Sequence, residues 1–114
     1  MTETPTTDRT LWASGLDELT ALHEGKMITM EVLDRSFGDE YEVERLPFRY
    51  ASYDPKDDVV VIAVGGASSR YPVVLRHLIN HPTEVDGAFD SGLGPALRVT
   101  DADGTTTIVM FHPS

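Results

Sequence analysis

WASGLDELTALHEGKMITMEVL, residues 12–33, holds the turning point of this chain, because the spacing of its apolar residues changes partway through. Trp12, Leu16 and Leu19, joined by Ala13 or Leu22, recur every three or four residues, as on one face of a helix. After Gly25 the period falls to two: Ile28, Met30 and Val32 alternate with Thr29 and Glu31, the pattern of a strand with one buried face. The spacing predicts an amphipathic helix over residues 9–24 and a strand over 27–33. Thr7 or Asp8 is available to cap the helix, and Gly25 to end it in the left-handed conformation. Gly15, inside the helix, costs about 1 kcal/mol relative to alanine. That cost is expected where a strand approaches the helix closely.

The rest of the chain reads as strands and turns. Asp34 to Glu40 reads as a loop. Val43 to Tyr53 reads as a strand with Leu46, Phe48 and Tyr50 on one face. Pro47 within it marks an edge or a bulge, because proline cannot donate to a ladder. Asp54-Pro55-Lys56-Asp57 is a turn sequence. Val59 to Val64 is apolar on both faces and is expected centrally, under the helix. Gly65 to Ser69 reads as a flexible connection. Tyr71 to Asn80 fits a helix stripe or a strand; the β-branched Val73 and Val74 and the nearby Pro82 favour the strand. Thr83 to Ala88 continues as a short strand, and Asp90 to Pro95 is a loop. Leu97–Thr100 and Thr105–His112 flank Asp101-Ala102-Asp103-Gly104, a hairpin signal in which glycine supplies a positive φ.

Strands joined by short turns pair antiparallel. The expected fold is therefore α+β: an N-terminal amphipathic helix packed on a curled antiparallel meander of five to seven strands, barrel-like if the edges meet. Residues 1–7, with four threonines and a proline, are expected as a flexible arm before a single α+β domain over 8–114.

The Trp12-x-x-x-Leu16-Asp17-x-Leu19 helix, Gly25 ahead of Glu31-Val32-Leu33, Leu46-Pro47-Phe48, Tyr53-Asp54-Pro55-Lys56 and the closing Asp103-Gly104-Thr105-Thr106-Thr107 together carry a resemblance. The chain resembles a family of small bacterial proteins known only as a domain of unknown function. The resemblance covers nearly the whole chain from about Leu11. It implies an architecture and no chemistry.

Charge narrows the partners. The chain carries 19 acidic and 9 basic residues, a net charge of -10, with carboxylates spread from Glu3 to Asp103. Such a surface repels phosphate backbones and anionic lipid, so neither nucleic acid nor a membrane is an expected partner. The absence of cysteine removes disulfides, thiolate metal sites and thiol catalysis, and leans towards the cytoplasm. No apolar run reaches the length of a membrane span.

Each candidate chemical motif is incomplete. His77 and His81 are four apart, but no third metal ligand is identifiable, and two rim histidines is the favoured reading. Asp101-x-Asp103-Gly104 and Asp34-x-Ser36-x-Gly38 resemble the start of a calcium loop but lack the glutamate near the twelfth position. Gly65-Gly66-Ala67-Ser68-Ser69 lacks the lysine and the helix of a phosphate loop. The carboxylate pairs Asp39-Glu40 and Asp57-Asp58 lie in turns and read as solvated. Trp12, Phe48, Tyr50, Tyr53 and Phe111 read as core or core-rim residues. No metal, cofactor or catalytic residue is assigned.

The leading expectation is a non-enzymatic protein-binding or accessory domain, with a protein partner or self-association. The alternative is a small-molecule-binding protein or enzyme with a pocket between helix and sheet. Trp12, Tyr50 and Phe111 would wall that pocket, and Arg49 or His77 would anchor its ligand.

Overall fold

The computed structural model describes residues 9–34, 38–65, 74–90, 92 and 94–113, with backbone alone at 38–44 and 74. The expected arm over 1–7, the Thr7 or Asp8 cap, the Ser36 position and residues 66–69 of the Gly65–Ser69 connection lie outside the described residues. A short 3₁₀ turn at Arg9–Leu11 leads into helix α1, Trp12–His23. The helix has Leu11 at its N-cap, which offers no side-chain cap bond. Its end is as expected, with Gly25 at φ +88.

Among the described residues seven strands follow: β1 Met27–Asp34, β2 Gly38–Asp54, β3 Val59–Gly65, β4 Val74–Asn80, β5 Pro82–Asp90, β6 Pro95–Asp101 and β7 Thr106–Phe111. All pairings are antiparallel, in the order β4-β3-β2-β1-β7-β6-β5. The described part of 71–80 is a strand. The loop expected over 34–40 is shorter, because β2 already begins at Gly38 and pairs back to Asp34.

β2 is 17 residues long because it serves two neighbours in turn. Residues 38–47 pair with β1, and residues 48–54 pair with β3. Pro47 sits at the changeover, where the missing N–H leaves no gap in either ladder. Arg45 is the extra residue of a bulge, with φ 53 between Glu44 and Leu46. A further register shift, the third along β2, falls between Phe48 and Tyr50 and turns Tyr50 away from Phe48. The expectation that Leu46, Phe48 and Tyr50 share a face is thus corrected: Ala51 and Tyr53 continue the buried row that Phe48 begins.

The sheet curls until strands far apart in its order touch. His77 Nε2 on β4 lies 3.2 Å from Thr107 Oγ1 on β7, although β3, β2 and β1 separate the two strands. β4 and β5 are the two edges, joined in sequence by His81 alone, and no ladder between them closes the sheet among the described residues. The concave face gathers Ile28, Met30, Phe48, Val60, Ile62, Val64, Leu97, Val99 and Val109 into one core with the helix residues Trp12, Leu16 and Leu19. Burial of this kind supplies about 25 cal/mol for each Å² of apolar surface removed from water.

The helix packs chiefly on β2, not on β3, which is second from the edge. The reason is local: past Pro47, β2 has lost β1 as a neighbour, and backbone groups on that side need other partners. The helix and its exit provide them. Thr20 Oγ1 donates to the Ala51 carbonyl at 3.1 Å and accepts from the Ala51 N–H at 3.0 Å. The Gly25 N–H donates to the Phe48 carbonyl, and the Phe48 N–H to the Lys26 carbonyl, both at 2.8 Å. Gly15 has open space around a would-be Cβ, so the close strand approach expected there is absent; the nearer approach is Leu19 Cδ1, 3.5 Å from a Cβ placed on Gly87 of β5.

Candidate functional site

The five residues expected around a pocket occupy separate places. Trp12 is 1% exposed, with its ring edge-on to Tyr53 at 5.0 Å and the Arg9 guanidinium 4.9 Å from its centre. Phe111 lies near the other end of the helix, stacked on His23 at 4.1 Å and edge-on to Phe48 at 5.1 Å. Both belong to the helix–sheet core. His77 is on the same concave face, paired in register with Ile62 and bonded to Thr107. Tyr50 is on the opposite face, where its hydroxyl accepts from Arg76 Nε at 3.3 Å. Arg49 sits half-buried in the register shift between Phe48 and Tyr50. Trp12 and Phe111 thus share the core beneath the helix, and the structure does not gather all five residues around one space.

Two polar clusters that the sequence did not reveal stand out. Asp58, φ 52, ends the β2–β3 turn; its carboxylate accepts from Tyr53 Oη at 2.8 Å and Arg9 Nη1 at 2.6 Å, and lies 3.3 Å from His81 Nδ1. The Tyr53 hydrogen bond, helped by His81 and the Arg9 charge, holds the Asp58 carboxyl below the usual aspartate range. This corrects the reading of Asp57-Asp58 as simply solvated, since Asp58 ties three segments together. His81 is engaged here while His77 meets Thr107, so the two histidines serve different partners. On β5 and β6, Arg98 pairs with Glu84 at 2.8 Å and approaches Asp86 at 3.8 Å. Among the described residues no group of three or more His, Asp or Glu is placed to hold a metal ion. Asp101, in the former calcium-loop candidate, instead accepts the N–H groups of Asp103 and Thr105.

The two sheet edges differ in kind. β5 is guarded: it begins with a proline, carries Glu84, Asp86 and Asp90, and breaks register twice against β6. Prolines, charges and bulges of this sort keep edge strands from pairing with other chains. β4 carries one such charge, Arg76, and no proline or bulge. It pairs with β3 over seven consecutive residue pairs without a shift, and it contains no proline and no carboxylate. The His81 N–H donates to the Asp58 carbonyl. Hydrogen-bonded pairs alternate along an antiparallel ladder, so Ile79 and Leu75 turn their N–H groups inward to β3, while Arg76, Leu78 and Asn80 turn theirs outward. Leu75 is 45% exposed and Leu78 56% exposed on opposite faces of this strand.

Among the described residues the fold defines a class: a small α+β domain whose curled antiparallel sheet is not closed by a ladder between its edges, one edge heavily guarded and the other lightly. The chain belongs to a family of unknown function, DUF5335, whose model matches residues 3–114. It is 33% identical over 103 residues to an uncharacterised protein of Aquifex aeolicus (strain VF5), covering 90% of this chain and 86% of that one. No solved structure matches it significantly. No helix among the described residues is long and apolar enough to cross a membrane.

Proposed function

We propose that this chain is a non-enzymatic protein-binding domain that accepts an extended segment of a partner protein as an added strand along β4. The observation that carries the reading is the contrast between the edges: β5 bears a proline, three carboxylates and two register shifts, and β4 bears an unbroken register and two exposed leucines. In strand addition the main chain supplies affinity, and alternate side chains supply specificity. The net charge of -10 argues against a nucleic-acid partner, and the absence of cysteine favours a reducing compartment such as the cytoplasm.

Proline substitution tests the reading, because the two sides of β4 should respond differently. Leu78→Pro removes an outward N–H and should leave a folded protein that no longer takes up an added strand. Ile79→Pro removes an inward one, and the ladder bond with it, and empties a buried site, which alone should cost about 2 to 5 kcal/mol. Leu78→Ala controls for the lost side chain. Partner peptides selected on the parent protein should bind Leu78→Ala with modest loss and Leu78→Pro not at all; equal binding to both would sink the proposal.

A further inference from the structure

We infer that the segment added to β4 is acidic, with a carboxylate that meets Arg76 and, two residues along, an apolar side chain that covers Leu78. The inference rests on the strand-addition reading above. Its own support is the charge pattern. The chain has 19 carboxylates in 114 residues, yet none between Asp58 and Glu84, a run of 25 residues (59 to 83) that spans all of β3 and β4. An acidic segment would be repelled by most of this surface and least by this edge.

Arg76 supplies the attraction. Its Nε is held by the Tyr50 hydroxyl, and the residue is exposed on β4. A guanidinium fixed in this way presents a fork suited to a carboxylate. Arg76 and Leu78 are two residues apart and so lie on one face, while Leu75 lies on the other. The matching strand alternates, with an acid and an apolar residue on the first face and an apolar residue facing Leu75 on the second. A second copy of this chain fits less well, because two bodies of charge -10 repel each other.

The test is selection of displayed random peptides on the intact protein, repeated on Arg76→Glu and Arg76→Gln. Peptides from the parent should be rich in Asp and Glu, bind less tightly as salt rises, and perturb the amide resonances of Arg76, Leu78 and Asn80. They should lose about tenfold in affinity on Arg76→Glu and less on Arg76→Gln. N-methylation at alternate residues should abolish binding. Neutral or basic peptides that map to β4 would overturn the acidic partner while leaving strand addition standing. Peptides that map elsewhere, or no selectable peptide, would overturn strand addition itself. A dimer in sedimentation with β4 amides protected would make the occupant a second copy and so overturn the inference.

Discussion

His23 lies flat on Phe111 near the end of α1, and its Nδ1 is buried without a hydrogen-bond partner among the described residues. Burial, and to a lesser degree the charge of Lys26, lowers its pKa. The unfolded chain therefore takes up a proton near pH 6.5 while the folded one resists it. Stability should fall as pH drops through about 6.5 and level off once the folded histidine also titrates. Urea melts across this range should show the slope in the parent and a flatter one in His23→Phe, which keeps the ring stack; an unchanged slope would assign the effect elsewhere. At this scale the sequence was legible where burial is concerned. Trp12, Phe48, Tyr53 and Phe111 are core residues, as their spacing indicates. Tyr50 was not legible, because a single register shift turns the face of every residue beyond it.

Helix α1 is held by its buried side chains and by Thr20, whose hydroxyl occupies the Ala51 backbone groups much as a neighbouring strand would. Its exposed side carries Gly15, which nothing crowds and whose φ is not positive. Gly15→Ala should stabilise the protein by about 1 kcal/mol through helix propensity and a less disordered unfolded chain. A thermal melt that moves downward would reveal a contact at this position. The helix and the final hairpin were legible because each is specified by residues close in sequence. The rank of a strand in the sheet was not. Val59 to Val64 reads as central because it is apolar on both faces, but nothing within a strand says how many strands lie beyond it.

Across the whole molecule, Asp58 ties the lead-in to the helix, the β2–β3 turn and the corner between the two sheet edges. Arg9 is 49 residues away from it in sequence, which is why no local pattern announces the cluster. Because the folded carboxyl titrates below its unfolded value, the stability it contributes is present above about pH 4 and is lost as pH falls through the lower, folded value. Asp58→Asn should therefore lower stability at neutral pH and make acid unfolding less steep, as followed by circular dichroism. A parent and a variant that unfold in parallel would show the cluster to be energetically silent. The open sheet has a further consequence in time. β1 can bond β2 as soon as the first hairpin forms, but its other side pairs Ile28 with Phe111, 83 residues later (111 − 28). Closing so long a loop is slow, because its entropy is spent before the contact rewards it. Until it closes, a growing or refolding chain exposes β1 much as the finished protein exposes β4, so the interval before β7 docks is when this protein is most open to mispairing with its own kind.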